Sequence, residues 1–178
     1  MKEKEQLKKE KYNQLYLDIA SRIAQMSFAQ RLHVGAVIVK NDNIISFGWN
    51  GMPTGWDNNC EDKKYMNRDA GGWLSPEEIE HQWPNQEQQL PKDSNTWKRY
   101  KLVTKPEVLH AEQNAIAKLS KTGVSSNGAV LFVTHAPCLD CAKLVYQSGI
   151  NSVYYRNAYR DESGIQFLEK AGVSVKKV

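Results

Sequence analysis

The sequence predicts an α/β fold with three layers, in which helices cover both faces of one sheet. Short apolar runs typical of strands alternate with segments of helical periodicity through the second half of the chain. The 178 residues, 40% hydrophobic and 25% charged, are enough for a single domain, residues 1–178, with a sizeable core. We therefore expect one soluble α/β unit.

The N-terminal segment predicts a long helix. Apolar residues recur at three- and four-residue intervals over Tyr12–Met26, which predicts an amphipathic helix to about residue 29. Its Lys-rich beginning, Met1–Lys11, is interleaved with glutamates. This mixture favours a solvated helix start over a nucleic-acid-binding stripe.

A hairpin and an alternation of helices and strands follow. Val34–Lys40 and Ile44–Trp49 are apolar runs on either side of Asn41-Asp42-Asn43, a pattern typical of a hairpin. Five strands in all, with the helices between them, predict helices on both faces of the sheet. The later elements are predicted, in order, as helix Ala111–Leu119, strand Ala129–Thr134, helix Cys138–Ser148, strand Ile150–Tyr155, helix Glu162–Ala171 and strand Val173–Val175.

A polar insertion, about residues 56–105, interrupts this pattern. It contains three prolines and four of the five tryptophans. Ser75-Pro76-Glu77-Glu78 has the residues of a helix N-terminus and predicts one short helix to about Trp83. Because disordered segments are poor in aromatics, we expect an ordered insertion near the functional site or at a subunit contact.

Two short motifs together indicate a catalytic zinc site. His110-Ala111-Glu112 and Pro137-Cys138-Leu139-Asp140-Cys141 offer three zinc ligands, His110, Cys138 and Cys141. A structural site closes with four protein ligands, whereas a catalytic site keeps one position for water. A redox pair or half of a zinc ribbon would also contain C-x-x-C, but the chain has no second pair to complete a ribbon.

Helix geometry restricts where the ligands can lie. Cys138 and Cys141 are three residues apart and share one face of a helix. Residues two apart point roughly 200° from each other on a regular helix. His110 and Glu112 therefore meet in one pocket only if His110 lies at the helix entrance and Glu112 in the first turn.

Glu112 is the expected catalytic residue, because its carboxylate is not needed as a ligand. Zinc lowers the pKa of a bound water towards neutral, and a carboxylate can move protons between that water and an aminopyrimidine. The pattern is typical of zinc-dependent nucleobase deaminases. His135 is expected to form a pocket wall or a hydrogen bond, since a fourth protein ligand would displace the water.

Around these motifs the chain resembles the deoxycytidylate (dCMP) deaminases of the cytidine deaminase superfamily. The resemblance covers nearly the whole chain from about residue 15, apart from the insertion. It implies a cytidine deaminase-like fold with a mixed five-stranded sheet, and hydrolysis of dCMP to dUMP and ammonia, which feeds thymidylate synthesis. The matching segments are Ser27, Val34–Val39, Gly48–Gly55, His110–Ile116, Pro137–Lys143 and the segment around Tyr159.

The resemblance also implies roles for residues around the zinc. Asn50 corresponds to a residue that touches the deoxyribose, and Ser27 is placed for the 5′-phosphate. Tyr159 is similar to a tyrosine at the opposite rim of the pocket. Arg31 matches no family motif, but its charge suits a phosphate ligand.

Regulation and assembly follow from the same resemblance. It implies a homo-oligomer, in many members a hexamer, activated by dCTP and inhibited by dTTP, with the nucleotide and its Mg²⁺ near Gly51 and Gly55. We expect one catalytic Zn²⁺ per subunit. A second, structural zinc is not expected, because Cys60 is the only spare thiol and Val108 stands where a carboxylate would help.

Two alternatives remain open. A tRNA adenosine or polynucleotide cytidine deaminase could use the tryptophans of the insertion to line a strand path. A non-catalytic zinc-containing nucleotide sensor would bind zinc and dNTPs without releasing ammonia.

The composition favours a small phosphorylated substrate in the cytoplasm, which would be the host's if a phage encodes the chain. The net charge of +4 suits such a substrate without a nucleic-acid partner. Three cysteines do not form a disulfide framework, and no signal peptide or membrane-spanning run is expected.

Overall fold

The computed structural model describes residues 2–65 and 100–178. The predicted short helix to Trp83 lies outside these residues. Eleven elements lie within them: α1 (Lys2–Ala24), β1 (Gly35–Lys40), β2 (Asn43–Trp49), β3 (Glu61–Tyr65), β4 (Tyr100–Thr104), α2 (Ala111–Leu119), β5 (Val130–His135), α3 (Leu139–Gln147), β6 (Ser152–Asn157), α4 (Ser163–Lys170) and β7 (Ser174–Lys177).

Five strands form one mixed sheet in the order β2-β1-β5-β6-β7. Strand β1 is antiparallel to β2 and β5, whereas β5, β6 and β7 run parallel. The predicted mixed five-stranded sheet with helices on both faces is thus confirmed. The hairpin β1–β2 turns at Asn41 and Asp42, whose φ angles of 51° and 59° are those of a tight two-residue turn.

The alternation of side chains along β1 divides the core into two layers. Val37 packs with Leu17 and Ala20 of α1 on one face of the sheet. Its neighbour Ile38 points to the other face, because successive strand residues alternate. There it joins a larger cluster from α2, α3 and α4 that includes Ala115, Val145 and Leu168.

Helix α1 ends at Ala24, before the predicted end near residue 29. The backbone N–H of Met26 bonds to the carbonyl of Ile23 at 3.0 Å, which closes the helix with a tight turn. Met26 lies beyond the helix and is 56% exposed. Its apolar side chain continues the helical spacing of the sequence without belonging to the buried face of the helix. Within the described residues, no helix is both long and apolar enough to cross a bilayer.

Strands β3 and β4 were not predicted. They pair antiparallel, with Glu61 opposite Thr104 and Tyr65 opposite Tyr100, and so lie towards the two ends of the insertion. The sequence of β3, EDKKY, is charged and lacks the apolar alternation that indicates a strand. This pair brings Glu61 and Thr104 to the edge of the functional site described below.

A close approach at Gly48 sets helix α2 against strand β2. A Cβ atom at this position would lie 2.6 Å from the backbone nitrogen of Ala115 and closer still to the carbonyl oxygen of Ala111. Both neighbours are backbone atoms of α2, so neither can move without moving the helix. Gly48 therefore fixes the depth at which α2 packs on the sheet.

We expect Gly48→Ala to lower the free energy of unfolding by about 1–3 kcal/mol, the usual cost of overpacking a core. Chemical denaturation would measure the change. Gly51→Ala is the matched control, because a Cβ there would meet only the Trp49 ring at 3.9 Å. Equal stability of the two variants would contradict this account of the helix position.

Candidate active site

Three metal-ligating side chains converge where α2 and α3 begin. His110 directly precedes α2 and Cys138 directly precedes α3, both with extended backbone. Cys141 lies in the first turn of α3. The His110 Nδ1 atom is 3.6 Å from the Cys138 Sγ atom and 3.3 Å from the Cys141 Sγ atom. The three ligand atoms all lie within 4.8 Å of one another, which places His110 at the helix entrance as the spacing required.

The chemistry of this donor set fits zinc. One imidazole nitrogen and two sulfurs are ligands that Zn²⁺ accepts readily. A hydrogen bond from the Cys141 thiol lowers the pKa of Cys138 to about 4, while the same bond raises the pKa of Cys141. The pair thus supplies a thiolate, the form that ligates metal, at neutral pH.

Glu112 lies in the first turn of α2 and is only 4% exposed. Burial raises the pKa of its carboxyl above the ordinary value. The positive end of the helix dipole acts in the opposite direction and favours the ionised form. A raised pKa suits a carboxyl that accepts and releases protons in turn.

Polar contacts hold the start of α2 in place. The backbone N–H of His110 donates to the Gln113 side-chain oxygen at 2.8 Å. The Asn114 side-chain amide donates to the Trp49 carbonyl at 2.7 Å, which ties the helix to the end of β2. The Ser46 hydroxyl donates to the Ala115 carbonyl at 2.6 Å. These bonds fix the helix turn from which His110 and Glu112 project.

A cavity of about 410 Å³ is lined by two of the three donors, His110 and Cys138. Its walls come from the loop before β1, the end of β2, the β3–β4 pair, the starts of α2 and α3, and the loop after β6. Ser27, Gly51 and Gly55 do not line it, although all three were candidate site residues. The polar and charged residues that do line it are Arg31, Asn50, Glu61, Thr104, His110, Glu112, His135, Cys138, Tyr159 and Arg160.

Asn50 and Ser27 hold the loop of residues 27–34. The Asn50 side chain accepts from the Val34 N–H and donates to the Leu32 carbonyl, each at 2.8 Å. The buried Ser27 hydroxyl donates to the Asn50 carbonyl at 2.8 Å and accepts from the Ala29 N–H at 3.2 Å. Direct contacts of Asn50 with the sugar and of Ser27 with the phosphate stay predictions.

Two arginines make one part of the cavity cationic, and a tyrosine lies beside one of them. Arg31 donates from Nη1 to the Thr104 hydroxyl at 3.0 Å, and the Arg160 guanidinium lies 5.8 Å from the centre of the Tyr159 ring. Burial, followed by the nearby Arg160 charge, lowers the pKa of Arg31, yet arginine stays charged in proteins. Arg160 was not predicted as a site residue, and its only signal in the sequence is its place directly after Tyr159.

The remaining candidates are placed as follows. His135 lines the cavity, and its Nδ1 atom lies 3.1 Å from the Thr134 hydroxyl. Burial lowers the pKa of His135 and favours the neutral ring. Gly51 forms an isolated bridge with Leu109, and Gly55 has a φ of +89°. A nucleotide site at these glycines stays a prediction.

Cys60 lies apart from the three donors. It is buried in a small apolar cluster with Ala29 and Val108, against which Met52 packs. Burial raises the pKa of its thiol, so the group is protonated at neutral pH.

Comparisons with known proteins agree with this site. Residues 10–157 match the sequence family described as the cytidine and deoxycytidylate deaminase zinc-binding region. The chain is 34% identical to the deoxycytidylate deaminase of Enterobacteria phage T4 over 173 residues, 89% of this chain and 86% of that protein. It is 31% identical to ComE operon protein 2 of Bacillus subtilis over 168 residues, 94% of this chain and 71% of that protein.

A solved structure is similar over almost the same length. The dCMP deaminase of cyanophage S-TIM5, in complex with dCMP and dUMP, superposes with a TM-score of 0.68 at 36% identity. The match covers 93% of this chain and 95% of that one.

We expect one zinc ion per chain, bound by His110, Cys138 and Cys141. Elemental analysis of purified protein should find stoichiometric zinc in the unchanged chain and little in Cys138→Ser or Cys141→Ser, because each loses a thiolate ligand. Cys60→Ser is the matched control and should keep its zinc. If Cys60→Ser lost its zinc while the Cys138 and Cys141 variants kept theirs, the metal would be bound elsewhere.

Proposed function

The chain belongs to the cytidine and deoxycytidylate deaminase family, and we propose that it hydrolyses dCMP to dUMP and ammonia. The observation that carries the proposal is the convergence of His110, Cys138 and Cys141 beside the buried carboxyl of Glu112. Arginines line the same cavity, which suits a substrate with a phosphate. The named dCMP deaminases among its relatives support this choice of substrate.

The proposed chemistry divides between the metal ligands and Glu112. His110, Cys138 and Cys141 would hold the zinc, which when bound would supply the Lewis acid that makes water a nucleophile near neutral pH. Hydrolysis replaces the amino group of the cytosine ring by oxygen, and ammonia leaves. Glu112 accepts a first proton from the attacking water and passes it to the ring nitrogen, then accepts the second proton from the oxygen now bonded to the ring carbon and passes it to the departing amino group. Its burial keeps bulk water from competing for these protons.

The phosphate is proposed to bind at Arg31 and Arg160. Both side chains line the cavity, and a guanidinium fork matches the oxygens of a phosphate. Tyr159, beside Arg160, forms the adjoining wall. Asn50 is proposed to meet the sugar hydroxyl with the hydrogen-bonding capacity that its amide keeps beyond the contacts to the loop.

Regulation by dCTP and dTTP near Gly51 and Gly55, with Mg²⁺ on the nucleotide, is proposed from the family resemblance. A homo-oligomer is also proposed from the family resemblance. Neither glycine lines the catalytic cavity, although Gly51 directly follows Asn50, which does.

An ammonia-release assay tests the proposed function. The substrates are dCMP, dCTP, deoxycytidine and a cytosine-containing oligonucleotide, each with and without added regulatory dCTP or dTTP. We expect turnover of dCMP with the highest kcat/KM. Turnover of the oligonucleotide without turnover of dCMP would support a polynucleotide deaminase, and zinc binding without any ammonia release would support a nucleotide sensor.

Glu112→Gln should retain zinc and lose turnover. An amide cannot shuttle protons, and a general acid–base group contributes about 10²–10⁴-fold to rate. We therefore expect kcat for dCMP to fall by roughly 10³-fold with unchanged zinc content. Glu107→Gln, which alters an exposed glutamate, is the control. Near-normal activity of the Glu112 variant would refute this mechanism.

Arg31→Gln and Arg160→Gln should each weaken dCMP binding. A hydrogen bond to a charged group contributes about 1.5–3 kcal/mol, so the KM for dCMP should rise roughly 10- to 100-fold. The kcat/KM for deoxycytidine, which has no phosphate, should change little. Arg22→Gln, which alters an exposed arginine of α1, is the control. Equal losses on both substrates would argue against a phosphate site at these arginines.

A further inference from the structure

Glu61 is a buried carboxylate whose bonds go to one short piece of backbone. It is the first residue of β3, is 4% exposed and lines the catalytic cavity. Its two oxygens accept from the Gln30 N–H at 3.0 and 3.1 Å, and one of them also accepts from the Arg31 N–H at 3.2 Å. A buried carboxylate is costly unless its oxygens are bonded in this way.

The residue opposite Glu61 contacts the same arginine. Thr104 of β4 pairs with Glu61 in the strand register, and its hydroxyl accepts from Arg31 Nη1 at 3.0 Å. One rung of the β3–β4 pair therefore holds Arg31 at two points, the backbone through Glu61 and the guanidinium through Thr104. Because a guanidinium carries five N–H donors, one can orient the group while others bind an anion.

Glu61 holds a different part of the loop from Asn50 and Ser27. Asn50 contacts Leu32 and Val34, and Ser27 contacts the Ala29 N–H. The bonds of Glu61 fall between these anchors, on Gln30 and Arg31 alone. Loss of Glu61 would leave both ends of the loop attached and loosen the segment that carries the arginine.

The charge of Glu61 has an electrostatic cost, because a carboxylate in a cavity that binds a phosphate repels the substrate. Its bonds to backbone N–H groups are charge-assisted and hold the loop more firmly than a neutral side chain could. The negative charge also offsets part of the repulsion between Arg31 and Arg160. The net effect of Glu61 on the affinity for dCMP is favourable when the gain from a correctly oriented Arg31 exceeds the loss from repulsion of the phosphate.

We propose that Glu61, with Thr104, is a positioning residue that aims Arg31 at the substrate phosphate and so sets the affinity for dCMP. This proposal rests on the proposed function. It assigns to the β3–β4 pair a role in substrate recognition in addition to forming a wall of the cavity.

Steady-state kinetics of Glu61→Gln test the proposal. The amide keeps the size of the side chain but loses the charge, and its NH₂ group replaces one of the two oxygens that accept from the Gln30 N–H. We expect the KM for dCMP to rise roughly tenfold, with kcat within about twofold and the kcat/KM for deoxycytidine unchanged. Asp62→Asn is the matched control, since Asp62 is the next residue of β3 and its side chain is 69% exposed.

A double variant separates positioning from general support of the fold. If Glu61 acts through Arg31, Glu61→Gln should add no further rise in KM to Arg31→Gln. Independent, multiplying effects would overturn the proposal, as would an unchanged KM or an equal loss on dCMP and deoxycytidine. Should Glu61→Gln fail to fold, Glu61→Asp, which keeps the charge but shortens the reach to the Gln30 and Arg31 N–H groups, is combined with Arg31→Gln and judged by the same criteria.

The two proposals are tested with different proteins: the unchanged enzyme tests the proposed function, and the Glu61 variant tests the role of Glu61. Failure of the proposed function appears in the unchanged enzyme, which would then release no ammonia from dCMP. Failure of the Glu61 proposal appears in an active enzyme whose KM for dCMP does not respond to the substitution.

Discussion

The active site depends on bringing the N-termini of two helices together. Zinc binding requires His110 and the two cysteines to meet within a few ångströms, although they begin different helices separated by strand β5. The sheet makes this possible because α2 and α3 pack on the same face. Glycines at two contacts then set the distances. Gly48 lets α2 approach β2, and a Cβ at Gly164 of α4 would lie 2.8 Å from the carbonyl carbon of Cys138.

The substrate side of the cavity is held by polar side chains instead of close packing. Asn50 and Glu61 come from separate parts of the chain and bond to the backbone of residues 30–34. Ser27, at the start of the loop, bonds to the Asn50 carbonyl and the Ala29 N–H. A loop bonded in this way presents its charged side chain in a fixed direction without strand or helix structure of its own. The apolar cluster of Ala29, Cys60 and Val108 packs beneath it.

The zinc site was predictable because its signal is local, whereas the proposed phosphate site was predicted only in part, through the charge of Arg31. His110 and Glu112 lie within one helix turn of each other, and so do the two cysteines. Their spacing alone therefore predicted that His110 lies at the N-terminal end of a helix. Glu61 and Thr104 act through a strand pair formed by residues far apart in sequence. Neither has a neighbour pattern that indicates a site, and the charged sequence of β3 concealed even the strand.

The burial of Glu112 connects the two sides of the cavity. Burial raises the pKa of the Glu112 carboxyl, which suits the proposed delivery of protons to a leaving amine. The same burial requires the substrate to enter a confined space and displace water, at a cost in free energy. Binding of the phosphate by fixed arginines can supply that free energy at a distance from the reacting atoms. Positioning of Arg31 would then affect affinity first, and the proton transfers of Glu112 would govern the rate once the ring is in place.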